Sequence, residues 1–426
     1  MNSFTSLSKT CVTTVIAGFV LACAFGVPAQ GIPLPVIPNA TFNVTDYGAV
    51  GNGQTMNTAA IQKTIDTASA AGGGTVLVPA GKFLTKPFTL ASSINLHLAR
   101  DAFILISDEL THYPGANGRY QDSITASGAH DLEISGEGTI DGQGNAWWTA
   151  FRASRSMAHR PFMIKLSNCT RVRVHGVTLS NSPMFHLVPQ NCMDVTIQGI
   201  TIKSPADAPN TDGIDPSGWN YLIADCTIDV GDDNIAIKPG GSRTPGSKNF
   251  TVKNCTFMHG HGCSVGSGTA GGIENLTVSD CTFSQTDAGI RIKTTRGNGG
   301  LLQNCTYENL QMTAVKNPVY IIDYYPERNA PKDPATEQPE PVTDRTPFNQ
   351  NIIIRNVTAT DCTTAGTIRG LPEAPITNVT LSNVNISAKA GMKIYYARKI
   401  RFEGSKIVAE SGRPLMTFDA EVTGLK

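Results

Sequence analysis

Along most of the chain apolar and polar residues alternate in short runs, as in Asn249-Phe-Thr-Val-Lys, Asn275-Leu-Thr-Val-Ser, Asn351-Ile-Ile-Ile-Arg and Asn378-Val-Thr-Leu-Ser. A period of two belongs to strands, and these runs carry no helical stripe. Most are followed by a marker tripeptide: an acid, amide or glycine, then a small apolar residue, then usually threonine. The series is Gly176-Val177-Thr178, Gly199-Ile200-Thr201, Asp225-Cys226-Thr227, Asn254-Cys255-Thr256, Asp280-Cys281-Thr282, Asn304-Cys305-Thr306, Asn356-Val357-Thr358 and Asn383-Val384-Asn385. The central residues are 23, 26, 29, 26, 24, 52 and 27 residues apart, the interval of 52 reading as two units with an insertion. Such a period signals a solenoid, and its strand character predicts an all-β, right-handed parallel β-helix of roughly ten coils. Equivalent residues of successive coils then lie one strand spacing apart, roughly 4.8 Å. Asn220, Asn249, Asn275, Asn351 and Asn378 each stand five residues before a marker, which predicts a ladder of amides at one turn.

The ends of the solenoid read differently. Asn57-Thr58 opens a run of helical period over about 58–70, ending at Gly72-Gly-Gly, and one amphipathic helix is what covers the open end of a stack. Early strands follow at Val76-Leu-Val-Pro-Ala-Gly-Lys-Phe-Leu, Ile94–Leu98 and Phe103–Ile106. The segment 326–349 is proline-rich and of mixed charge, so it is expected to be a long loop that walls one side of the outer face. No composition break divides the rest, which gives a single β-helix domain over 30–426.

Residues 1–29 hold one charged side chain, Lys9, then an apolar run and the small-residue ending Val27-Pro28-Ala29. They read as an export signal cleaved near Ala29, with lipid attachment at Cys23 as the rival reading. No later run approaches the ~20 apolar residues that span a bilayer. The mature chain is therefore expected to be secreted, free of the membrane and monomeric. Its formal net charge of zero gives no support for binding nucleic acid. Eight cysteines follow the signal. Cys226, Cys255, Cys281 and Cys305 share one coil position, and Cys169 and Cys192 another, so stacked buried thiols are expected before disulfides. Neither column has metal-site spacing.

Four polar clusters fall at nearly even spacing: Asn210-Thr211-Asp212-Gly213, Gly231-Asp232-Asp233, Gly260-His261-Gly262 and Arg291-Ile292-Lys293. Asp232 is six residues after Cys226 and His261 six after Cys255, which makes them neighbours on adjacent coils. Asp212-Gly-Ile aligns with Asp233-Asn-Ile, so Asp212 falls beside Asp233. With Ile290 and Ile292 turned inward, Arg291 and Lys293 face outward from one strand. Taken singly these clusters are turn sequences or a solvated face, and His259 competes with His261. Their shared register predicts a stripe of three carboxylates, one imidazole and two cations.

Clustered carboxylates repel, so one holds its proton more tightly while its partners stay ionised. That division is what glycoside hydrolysis needs. The alignment assigns Asp212 and Asp233 to hold and deprotonate a water, and Asp232 to donate a proton, with His261 keeping it protonated. Two separate positions with a water between them imply inversion, for which carboxyl groups ~6.5–9.5 Å apart are usual. Arg291 and Lys293 point to a uronate carboxylate, hence a polyanionic glycan.

At these four blocks the chain resembles the polygalacturonase family of glycoside hydrolases. Asp46-Tyr-Gly-Ala, Gly138-Thr-Ile-Asp-Gly-Gln-Gly-Asn-Ala-Trp-Trp, Asn181-Ser-Pro and Asp215-Pro add to the likeness, which runs from about Phe42 to about Tyr325. The resemblance implies a right-handed parallel β-helix, inverting hydrolysis of α-1,4-linked galacturonan (demethylated pectin), and no metal or other cofactor. It also implies the same roles for Asp212, Asp232, Asp233, His261, Arg291 and Lys293, a supporting role for Asn210, and a substrate-binding tyrosine at Tyr325, with Tyr324 adjacent. Gly260-His-Gly-Cys-Ser-Val-Gly-Ser is similar to endo-acting, bacterial-type members. The 326–349 segment departs from the pattern and, by closing one end of the cleft, would favour exo action. Two rivals use the same solenoid: a pectate lyase whose carboxylates bind calcium, and a β-helix that only binds polyuronate.

Overall fold

The computed structural model describes Met1 and residues 31–240 and 246–425. Strands stack in parallel from one end to the other, and most coils contribute one strand to each of three faces. On the first face Tyr221 lies opposite Phe250, then Leu276, Cys305, Ile352 and Val379. On the second, Ile228 lies opposite Phe257, Phe283 and Met312. On the third, Ile235 lies opposite Cys263, Ile290 and Val319. The chain is a right-handed parallel β-helix.

Alternation explains the interior. Every second residue of each strand turns inward, so the core is a set of columns of isoleucine, valine, leucine and phenylalanine, nearly all fully buried. Within the columns Tyr221 and Phe250 stack with ring centroids 4.6 Å apart. The helix Thr58–Ala70 covers the N-terminal end and buries Ile61, Ile65 and Ala68. Asn57 precedes it without capping it: its carboxamide bonds Val50 and Thr55 in the neighbouring loop instead. A second helix, Asn145–Ala153, buries Trp147 and Trp148; its nine residues are too short for a helical period to stand out. Solenoid and helices lie in one compact unit, Ile32–Lys426. The expected export signal, Met1 apart, lies outside the described residues.

One rung of the alignment is corrected. Asn304-Cys305-Thr306 sits opposite Asn275-Leu276-Thr277, on the first face, and the marker position of that coil is Asn309-Leu310-Gln311. From Asn220 to Asn383 each coil has two left-handed corners five residues apart, the first asparagine and the second asparagine or aspartate, and an Asn-apolar-Thr triplet fits either. Asn304 therefore joins the amide ladder: Asn249 donates to Asn220, Asn275 to Asn249, Asn304 to Asn275, Asn351 to Asn304 and Asn378 to Asn351, at 2.8–3.4 Å. The interval of 52 is likewise not two units. Leu310 pairs directly with Val357, so one coil carries the whole insertion. All eight cysteines after the signal are free and buried; Cys226, Cys255 and Cys281 share a column, and Cys305 lies instead in the first-face column of Tyr221, Phe250 and Leu276.

Candidate active site

The four clusters meet on the outer side of the third face. The bridge between Ile214 and Ile235 sets Asp212 opposite Asp233, and Gly213 N donates to Asp233 O at 2.8 Å. The pairing of Ile235 with Cys263 sets His261 opposite Asp233, one residue off the marker count, because the intervening turns differ by one residue. His261 still reaches back to Asp232, Nδ1 to Oδ1 at 2.9 Å. The turn before it requires glycine: Gly260 has φ +67°, and a Cβ there would lie 2.4 Å from the Asp232 carbonyl oxygen.

Asp233 is 1% exposed, and each of its oxygens meets a cation. Oδ1 accepts from Arg291 at 2.5 Å and from Ser264 at 2.8 Å, and Oδ2 from Lys293 at 2.6 Å. Burial alone would raise its pKa, but Lys293, Arg291 and Lys238 more than reverse this and hold the carboxyl below the usual carboxylate range. Asp212 is as deeply buried and has no such clamp. Burial first, then repulsion from Asp215, Asp232 and Asp233, raise it well above the ordinary carboxyl value, and its Oδ1 has no partner among the described residues. Burial and charge thus shift these two neighbouring carboxyls in opposite directions, Asp233 down and Asp212 up.

Asp232 accepts from Asn210 Nδ2 at 3.2 Å as well as meeting His261. The far nitrogen of His261 lies 3.2 Å from Asp287, which Lys316 holds at 2.5 Å. Burial lowers the imidazole pKa, but the bonds to Asp232 and Asp287 outweigh it and push it from 6.5 up to about 9. His261 is therefore a charged donor to Asp232. Asp232 and Asp233 bring oxygens within 4.8 Å of each other, closer than the ~6.5–9.5 Å expected for inversion. They are consecutive residues of one tight turn, in which Asp233 N donates to Asp232 Oδ1 at 2.9 Å.

Arg291 and Lys293 face outward but are covered, and the Tyr325 ring lies against both, 5.7 and 5.0 Å from its centroid. Tyr324 turns the other way, buried between Arg296 and Arg369. His259 pairs with Asp229 at 2.8 Å and does not join the cluster. The structure thus brings together Asn210, Asp212, Asp232, Asp233, His261, Arg291, Lys293 and Tyr325.

Several contributors were given no role from sequence, although Asp215-Pro was among the stretches that carry the likeness. Asp215 is buried, paired with Lys238 at 3.3 Å, and pushed up to about 6 by burial against that lysine's pull. Arg160, 2% exposed, holds Asn210 Oδ1 at 2.7 Å. Asp287 was legible: it stands six residues after Cys281, the offset that found Asp232 and His261. Asp232, Asp233 and His261 also have donor atoms close enough for a metal ion. The chemistry of the set fits one poorly, since Asp233 is already neutralised by two cations and His261 is itself charged.

A parallel β-helix presenting three carboxylates against fixed cations defines a class of carbohydrate-cleaving solenoid. The chain belongs to glycosyl hydrolases family 28, whose model matches residues 69–402, and is a glycoside hydrolase. It is similar to a probable polygalacturonase of Vitis vinifera, 33% identical over 377 residues that span 82% of this chain and 75% of that one. It is also similar to an exopolygalacturonase of Zea mays, 32% identical over 367 residues, 82% of this chain and 84% of that one. Among solved structures, the polygalacturonase of Erwinia carotovora ssp. carotovora superposes with TM-score 0.71 at 27% identity, covering 93% of this chain and all of that one (100%). The family 28 exopolygalacturonase of Yersinia enterocolitica shares the fold at TM-score 0.77 and 23% identity, over 91% of this chain and 78% of that one.

Proposed function

We propose that this protein hydrolyses α-1,4-galacturonosidic bonds of demethylated pectin, cutting within the chain and inverting the anomeric centre. The observation that carries the reading is the double clamp of Arg291 and Lys293 on Asp233, with Tyr325 against both cations. Fixed cations beside an aromatic face suit a sugar that carries a carboxylate.

In this reading Asp212 and Asp233 hold the attacking water. Asp233, kept ionised by its cations, takes the proton as the water oxygen bonds to the anomeric carbon and the glycosidic bond breaks. Asp232 passes to the leaving oxygen the proton that charged His261, Nδ1 2.9 Å away, gives it, and the imidazole regains a proton from solvent. Asn210 orients Asp232.

Endo action is supported by the third face, which continues as strand on both sides of the acids, through Ile164–Ser167 and Leu187–Gln190 on one side and Asn317–Ile322 on the other. The second reading, exo action, is supported by the insertion at 326–349 and by the exopolygalacturonase relatives. A product time course on polygalacturonate tests both: a rapid fall in viscosity with mixed oligomers means endo action, and monomer from the outset means exo action. A product that absorbs in the near ultraviolet, or loss of activity on calcium chelation, would overturn hydrolysis in favour of a lyase. We further propose that residues 1–29 direct export; sequencing the N-terminus of the exported protein tests it, cleavage near Ala29 being the expected result.

A further inference from the structure

The outward column that contains Arg291 does not stop at the acids. Register carries it from Arg291 to Tyr320, from Tyr320 to Thr367, and from Thr367 to Lys393. At about 4.8 Å per rung, Lys393 lies roughly 14 Å along the solenoid from Arg291, a distance a few linked pyranose rings bridge. There the insertion folds against the face and encloses a cleft of ≈ 360 Å³, lined by Thr367, Arg369, Lys393 and Tyr395 from the strands and by Glu327, Arg328 and Lys332 from the insertion.

The charge of this cleft is unbalanced. Four cations line it against one acid, Glu327, which already accepts the Tyr320 hydroxyl at 2.8 Å. Arg369 is pinned by Glu337 at 3.0 Å and by the Pro331 carbonyl at 2.9 Å. Among the described residues, Arg328, Lys332 and Lys393 have no acid within salt-bridge distance. Cations scattered over a convex surface are ordinary solvated groups; three unpaired ones converging on a concavity, on the face that carries the acids, focus potential there. The insertion supplies two of the three, so the feature is built by this chain's own long coil.

We propose that this cleft is a distal subsite that takes the carboxylate of a further uronate residue of the same polyuronate strand, beyond the Arg291 and Lys293 clamp on the C-terminal side. The inference rests on the polyuronate reading above and adds to it where the strand leaves the active site. It also gives the insertion a purpose other than blocking: it would grip a strand that continues past the cut.

The test is hydrolysis of purified galacturonate oligomers from dimer to hexamer by the wild type and by Arg328→Ala, Lys393→Ala and the double variant, all at exposed positions. The expected result is a ratio of hexamer to dimer kcat/KM that falls roughly tenfold in the double variant and recovers with Lys393→Arg, the loss shrinking as salt is raised. An unchanged ratio would overturn the subsite. If the wild type hydrolyses no oligomer, the polyuronate hydrolase reading fails, and calorimetric binding of the same hexamer decides the cleft separately. A Kd weakened in the double variant supports it, and an unchanged Kd or no binding overturns it. Competition by free galacturonate at matched carboxylate concentration must leave the length dependence in place; its abolition would mean a site for any small anion and would likewise overturn the proposal.

Discussion

The amide ladder and the carboxylate stripe run over the same coils, one at a corner and one on a face, and they use stacking in opposite ways. At the corner, identical residues repeat in register, each carboxamide donating to the one before, from Asn220 to Asn378. Every rung there is interchangeable with the next. On the face no residue repeats: Asp212, Asp233, His261 and Ala288 occupy successive rungs of one column, and Asp215, Ala236, Ser264 and Arg291 the column three residues on. Repetition yields stability from many small equal terms. The broken repeat yields a site, because unlike charges can be set one rung apart and like charges forced together at controlled burial.

That contrast predicts unequal responses to substitution. The largest belongs to the face. Asp232→Asn and Asp233→Asn should each lower kcat by about a hundredfold or more on polygalacturonate, read as reducing-end release. They should differ in the melt. Asp232 is partly exposed, and its variant should lower the transition far less, by its share of the pairing with His261. Asp233→Asn leaves Arg291 and Lys293 buried without their counter-ion and should cost about 3–5 kcal/mol of stability. Equal melting temperatures would break the account of Asp233 as the charge on which the cations balance.

Next in size, Arg291→Ala should raise KM on polygalacturonate by about tenfold or more. An unchanged KM would remove it from substrate binding.

A third outcome is in pH. His261 has a pKa raised in the folded state, from 6.5 to about 9, so its contribution to stability is fully present below 6.5 and is lost as pH rises through 9. NMR titration of the imidazole should give a midpoint near 9, and Asp287→Asn should bring it down toward 6.5 with a matching shift of the alkaline limb of activity. A wild-type midpoint near 6.5 would refute the charged donor.

The smallest effect belongs to the ladder. Asn275→Ala removes one rung and puts alanine at φ +59°, which should cost about 2 kcal/mol in denaturant unfolding and leave kcat unchanged.

The ladder also shows what sequence could and could not convey. The alternating pattern and the markers displayed the solenoid, its capping helix and the columns, because strand period and coil period are both written in residue spacing. Asn304 was misplaced because two corners of one coil share a local sequence, and only hydrogen-bonded register separates them. The site was legible as far as offsets from a marker carry: Asp232 and His261, and with the same count Asp287. Asp215, Lys238 and Arg160 were not, since their part depends on burial and on which loop folds over which rung. The direction of each carboxyl's shift was illegible for the same reason. Asp212 and Asp233 are alike in sequence context, and differ in that the cations reach only one of them.

The most direct test of the central claim is the configuration of the first product. Proton NMR of trigalacturonate hydrolysis, followed before mutarotation, should show the β-anomer of the new reducing end appearing first, as a water held by Asp212 and Asp233 requires. Initial appearance of the α-anomer would mean that a carboxylate attacks the sugar, and would contradict the account.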